Sequence, residues 1–127
     1  MVSTSISLVQ KTMKIKIIRS PIAIDELQEI AKNQFIDMVK AAVDVRQEIM
    51  AIGGELHADE EAVLSESGSR REDVWGITIY INKAEDERIE FDSMINIKPQ
   101  YKNRSRGVED TVMQEKIRRI VKKLIIQ

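Results

Sequence analysis

The 127-residue chain contains no cysteine. Disulfide frameworks, Cys-ligated zinc, iron–sulfur clusters and thiol nucleophiles are therefore all excluded. There is one histidine, His57. Histidine-rich zinc patterns cannot be completed with it alone, and any Ser–His catalytic arrangement would have to use it. Aromatic residues make up 4% of the chain, and Trp75 is its only tryptophan. No apolar run approaches the ~20 residues of a membrane span, and the opening MVSTSISLVQK lacks the basic start and apolar centre of a signal peptide. The expectation is a soluble, cytoplasmic protein with no membrane partner. No Gly-x-Ser-x-Gly elbow, phosphate-binding loop or dinucleotide glycine fingerprint is present.

What the chain has in quantity is β-branched aliphatic residues: 20 Ile and 10 Val against 5 Leu. That bias favours pleated, half-buried surfaces over a helical bundle. A chain of this length can bury roughly two-thirds of its unfolded surface, enough for one compact domain. The net charge of -1 conceals an asymmetry. Residues 1–97 hold 11 basic and 18 acidic groups, whereas residues 98–127 hold 9 and 3. The basic end reads either as a solvated face complementing acids elsewhere or as an anion-facing edge.

Residues 1–12, rich in Ser and Thr, read as a flexible leader before a single α+β domain over 13–127. A first strand is expected at about 13–19, with Lys14 and Lys16 on a wet face, ended by Ser20-Pro21. Leu27, Ile30 and Ala31 share a face of a helix over 24–34, whose opening turns carry Asp25, Glu26 and Glu29. Residues 37–46 fit both helical and strand spacing, and their β-branched content favours strand. A short strand over 48–52 ends at Gly53-Gly54, where a tight turn needs positive φ, and Ser67-Gly68-Ser69 marks another turn. Alternation over Val74–Ile81 and over Arg88–Lys98 predicts an antiparallel hairpin about the loop 82–87, stopped by Pro99. After a loop over 100–107, Met113, Ile117, Ile120, Val121 and Leu124 define a C-terminal amphipathic helix. Its N-cap is Asp110, or alternatively Thr111 in a capping box with Gln114. The predicted fold is α+β, a mostly antiparallel sheet with one N-terminal and one C-terminal helix.

Two polar clusters carry candidate chemistry. In an extended segment, Glu55, His57 and Asp59 would point to one side, a carboxylate–imidazole–carboxylate set suited to acid–base work or to a divalent metal held by His57 and Asp59. The competing reading is a hydrogen-bonded structural histidine in a polar turn. The second cluster runs from Asn96 to Gly107 and contains four cations and no acid. There Lys98, Asn103, Arg104, Ser105 and Arg106 offer donors of the kind an anion requires. Tyr101 is the only aromatic within it, so no base-stacking platform is present and nucleic acid is the weaker partner. Trp75-Gly76 reads either as a pocket wall beside a point of close approach, or as a core residue followed by a bulge.

The segments Ala51–Glu60, with Gly-Gly-Glu-Leu-His-Ala-Asp, Asp73–Ile77 around Trp75-Gly76, Ile89–Ser93, Asn96–Pro99 and Asn103–Ser105 carry a family resemblance. The chain resembles a small family of uncharacterised prokaryotic proteins, a domain of unknown function, over about residues 14–126. The resemblance implies a fold group and no mechanism. Lys98 departs from the arginine associated with that position, keeping charge but losing bidentate geometry.

Three functions follow as expectations. The first is a binding protein whose small anionic or phosphate-bearing ligand contacts Lys98, Asn103, Arg104, Ser105 and Arg106. The second is a metal-assisted or acid–base hydrolase using Glu55, His57 and Asp59. The third is a homodimeric structural or interaction module. No cofactor is expected beyond the divalent metal of the second reading.

Overall fold

A computed structural model describes residues 14–127. The leader expected over 1–12, and Met13, lie outside the described residues. Strand β1 (Lys16–Ile18) leads through β2 (Ile22–Ala23) into helix α1 (Ile24–Gln34), then β3 (Met38–Asp44) and β4 (Ile49–Ile52). Helix α2 (His57–Glu66) follows, then β5 (Val74–Tyr80), β6 (Ile89–Glu90), helix α3 (Thr111–Leu124) and β7 (Ile125–Ile126). Short 3-10 turns occupy Arg71–Asp73, Glu85–Glu87, Met94–Asn96 and Pro99–Tyr101.

The main sheet has five strands in the order β1-β4-β3-β5-β6, every neighbouring pair antiparallel. Strand β3 is central and hydrogen-bonded on both sides, which resolves the helix-or-strand ambiguity of residues 37–46: Val39, Ala41, Ala42 and Val43 are all fully buried. A strand covered on both faces loses the simple alternation of a half-wet one. A separate parallel pair, β2 with β7, ties Ile22 to Ile125.

The two faces are covered unequally. Val39, Ala41, Val43, Met50, Ile52, Trp75, Ile77 and Ile79 share one cluster with Leu27 and Ala31 of α1 and with Ile117, Ile120, Val121 and Leu124 of α3. Helix α3 is the amphipathic C-terminal helix expected, capped by Asp110, whose carboxylate accepts the Val112 N–H at 2.9 Å. On the opposite face Ala42, Ile49, Ala51 and Val74 pack beneath Leu64 of α2 and Ile95. Beyond that cover the register places Lys40, Thr78 and Glu90 in one row across β3, β5 and β6. This part of the face is polar.

Three expectations need correction. The chain has three α-helices, not two. The additional one, α2, escaped periodicity because its inner face holds only one large buried apolar residue, Leu64, alongside the buried acid Glu60. Its end signal was present in Ser67-Gly68: Gly68 takes φ +95° just past the helix, as a C-terminal glycine does. Secondly, the strand expected over 88–98 pairs only at Ile89–Glu90. After Glu90 the chain leaves the sheet, and the Ser93 hydroxyl accepts the Ile95 N–H to start a 3-10 turn. Thirdly, Gly76 is no bulge, since β3 and β5 pair without interruption from Met38–Tyr80 to Asp44–Val74. Trp75 is a core residue, 5% exposed.

Candidate functional site

The site is built from the turn after β4. Gly53 adopts φ +94°, and a Cβ there would stand 2.4 Å from the Lys14 carbonyl oxygen, so only glycine fits. The peptide joining Gly53 to Gly54 is held from both edges. Gln34 Nε2 donates to Gly53 O at 2.6 Å, and Gly54 N–H donates to Glu60 Oε2 at 3.0 Å. This clamp fixes where α2 begins. The acids Asp59 and Glu60 in its first turn suit the positive end of the helix dipole. The segment is therefore not extended as the sequence suggested. Glu55 precedes the helix and is exposed, whereas His57 and Asp59 are its first and third residues. Two positions along a helix turn side chains about 200° apart, which separates His57 from Asp59. Among the described residues no three His, Asp or Glu side chains are grouped to hold a metal ion.

Helical spacing instead puts His57 and Glu60 on the inner face. His57 Nε2 lies 2.7 Å from the Ile77 carbonyl oxygen. That oxygen can only accept, so Nε2 carries the proton and Nδ1 presents a lone pair. Burial pulls the imidazole pKa below its ordinary value, helped by Lys40 and Arg106, while the Ile77 carbonyl and Asp92 act in the opposite direction. The ring is thus neutral at pH 7, and Nδ1 has no partner among the described residues. Glu60 is fully buried, and burial pushes its carboxyl well above the usual range against the opposing Gly54 hydrogen bond. Its Oε1 has no hydrogen-bond partner among the described residues.

Gly76 is where the motif segments meet. A Cβ on it would lie 2.6 Å from Ser93 Cβ and Oγ and 3.1 Å from His57 Cγ. Its backbone is read by Asn96, whose Oδ1 accepts Gly76 N–H at 2.7 Å and whose Nδ2 donates to Gly76 O at 2.9 Å and to Arg106 O at 2.8 Å. The carboxamide stands in for a neighbouring strand where β6 has ended. Past Gly76, the row of Lys40, Thr78 and Glu90 forms the floor, its centre buried at Thr78 and its edge exposed at Glu90. His57 and Ser93 stand beside Gly76, and Lys40, Asp92 and Arg106 are all near enough to act on the imidazole. Lys40 makes no ion pair among the described residues; its Nζ lies 5.3 Å from the Phe35 ring centroid. Tyr80 OH donates to Glu90 Oε1 at 3.1 Å.

The five cationic-loop candidates do not form one surface. Lys98 is fully buried, and its Nζ donates to Arg71 O at 2.6 Å and Val74 O at 2.5 Å beneath the Trp75 ring. Asn103 is buried too, donating to the carbonyls of Asn96, Ser105 and Gly107 while its Oδ1 accepts Glu109 N–H. Arg104 and Ser105 are exposed, and their backbone N–H groups both reach Glu109 Oε2 at 2.9 Å. An internal carboxylate thus occupies the loop's best anion-binding amides. Arg106 is exposed, pairs with Asp92 at 2.6 Å, and is close enough to bear on His57. It is the one member of the loop that joins the histidine. Lys40, Thr78, Ser93 and Asn96 were not singled out from the sequence. The strand alternation that places Lys40 and Thr78 on the wet side was the available signal.

A groove of about 660 Å³ lies elsewhere, between α3 and the Glu85–Glu87 turn, lined by Arg88, Ile89, Arg118, Val121, Lys122 and Ile125 among others. Its cations are already engaged: Arg88 with the Lys83 carbonyl at 3.0 Å, Arg118 with Glu115 at 3.6 Å and Lys122 with Glu85 at 3.9 Å. None of the residues that converge on Gly76 reaches it. No described helix is long and apolar enough to cross a membrane.

No curated protein and no solved structure matches the chain. The family model described as protein of unknown function (DUF5674) matches residues 16–124, and the chain belongs to that family.

Proposed function

We propose that the protein binds a small anion bearing an O–H or N–H donor, such as a phosphate monoester, on the open sheet face beside His57. The observation that carries this reading is the pairing of two unfilled groups on one face. Lys40 is a cation with no ion pair among the described residues, and the neutral His57 offers a lone pair at Nδ1. Lys40 attracts a negative oxygen, and Nδ1 accepts a proton that the same ligand donates. Arg106 supplies a second cation, already bridged to Asp92. Relative to the loop-centred expectation, the ligand keeps Arg106 and exchanges the spent Lys98 and Asn103 for Lys40 and His57. Inorganic phosphate is a direct probe, because its monoanion has both kinds of oxygen. Titration of isotope-labelled protein with phosphate is expected to give saturable amide shifts at His57, Gly76, Thr78 and Ser93, lost in Lys40→Ala. Shifts that do not saturate, that persist unchanged in Lys40→Ala, or that centre on Arg104 and Ser105 would overturn the reading.

A further inference from the structure

The floor beside His57 carries two opposite charges that do not meet. Lys40 pairs with Thr78 across β3 and β5, and Thr78 with Glu90 across β5 and β6. Residues paired in this way send their side chains to one face of a sheet. Two contacts bear that out. Lys40 is near enough to act on the His57 imidazole, and Tyr80, two residues along β5 from Thr78, donates its hydroxyl to Glu90 Oε1 at 3.1 Å. Neither Lys40 nor Glu90 makes an ion pair among the described residues. Arg106 and Asp92, by contrast, neutralise each other at 2.6 Å, and Lys83 lies over the Tyr80 ring at 4.3 Å without pairing with Glu90. The strand between them keeps Lys40 and Glu90 apart, and the Tyr80 hydroxyl holds the carboxylate at its end of the row.

Resting on the binding reading above, we infer that the ligand is a zwitterion: a phosphate monoester whose phosphoryl group meets Lys40 and His57 and whose ammonium, on a short carbon chain, meets Glu90. A simple anion on Lys40 faces the Glu90 carboxylate along the same row, and an ammonium on the ligand turns that repulsion into attraction. The span is set by the sheet. Two strand spacings put about 9.5 Å between the strands that carry the two charges. A charge-assisted hydrogen bond of about 2.8 Å at each end leaves about 4 Å between the charges of the ligand. An ammonium two carbons from a phosphate oxygen has that reach. The same head on a phosphodiester, as in a lipid, has no P–OH for His57 Nδ1 to accept, so the monoester is the form that fits.

The experiment compares 2-aminoethyl phosphate with propyl phosphate, which puts a methyl where the ammonium stands, on the full chain and on Glu90→Gln at pH 7 and low salt. Glu90 is exposed, and glutamine keeps an acceptor for the Tyr80 hydroxyl, so the variant retains its fold. The wild type is expected to bind the aminoethyl ester about three- to fivefold more tightly, the size of an exposed charge pair. Glu90→Gln should lose that preference while keeping its affinity for propyl phosphate, and vesicles of phosphatidylethanolamine should not be bound. Equal dissociation constants in the wild type would overturn the inference and leave anion binding standing. A preference that persists unchanged in Glu90→Gln would also overturn it, as would binding of the vesicles. Failure of both esters and of inorganic phosphate to bind removes the anion reading and this inference together.

Discussion

Asn96 satisfies both backbone groups of Gly76, accepting its N–H at 2.7 Å and donating to its carbonyl at 2.9 Å. A single side chain thereby completes a strand edge, and it does so while fully buried. Asn96→Ala would strand a buried N–H and a buried carbonyl. Each orphaned group costs roughly 1–3 kcal/mol, so a loss of about 2–4 kcal/mol is expected from urea unfolding. Asn96→Asp keeps the acceptor but loses the donor and buries a charge, and should cost at least as much. A loss below about 0.5 kcal/mol in both variants would show that the amide does not hold this edge.

Gly76 itself is required for space. Its φ is not in the left-handed region, yet an added Cβ would stand 2.6 Å from Ser93 atoms and 3.1 Å from the imidazole. Gly76→Ala should destabilise by about 1–3 kcal/mol through overpacking. Combining it with Ser93→Gly removes the nearest obstacle and should recover much of that loss, a coupling that a double-mutant cycle reads directly. Additive losses would mean the two positions do not meet.

How much of this was legible in the sequence depends on which physical signal each residue emits. Alternation along Val74–Tyr80 announced β5, and the 3.6-residue stripe of Ile117, Ile120, Val121 and Leu124 announced α3, because each buries one apolar face. Helix α2 emitted little, since its inward positions are His57, Glu60 and Leu64. A polar residue on an inner face is invisible to a hydrophobic period. Asn103 looked like a ligand-binding amide but, like Asn96, it bonds the backbone, as most buried amides do. Lys98 looked like a surface cation because lysine is almost never fully buried without compensation. The compensation, two carbonyls and an indole face, comes from residues more than twenty positions away and could not be read locally. The Glu55–His57–Asp59 grouping failed for a simpler reason: a period of two holds in strands, and this segment turns into a helix.

His57 provides a clean pH test because no other histidine obscures its resonance. Its imidazole should titrate below 6.5, chiefly from burial. The folded state then resists a proton that the unfolded chain accepts. Stability contributed by this group is complete above about 6.5 and declines as pH falls from there toward the lower folded value. The difference between the wild type and His57→Gln should therefore shrink on acidification from pH 7 to 5. Lys40→Ala should move the titration upward by removing a neighbouring cation, and Asp92→Asn should move it downward. A midpoint at or above 6.5, or one indifferent to Lys40, would place the imidazole outside the site described.

Lys98 makes the opposite kind of test at alkaline pH. Burial lowers its pKa from 10.5 to about 8, against the pull of Glu61, Asp73 and Glu72. Between those two values the unfolded chain holds a proton that the folded chain has released. Stability must then rise as pH increases from about 8 toward 10.5, since the unfolded state binds more protons throughout that window. Tyr80 works against this at the upper end. The Glu90 hydrogen bond raises its phenol above 10, so folding disfavours its ionisation and stability falls as pH climbs past that value. The informative quantity is thus the difference between wild type and Lys98→Met, which retains the aliphatic stem under Trp75 but cannot titrate. Urea midpoints at pH 7.5, 8.5 and 9.5 are expected to show the wild type gaining on the variant at each step. A constant difference would mean that the ammonium is not buried as the structure has it. In that event its bonds to Arg71 and Val74 would not be what holds the 98–103 turn in place.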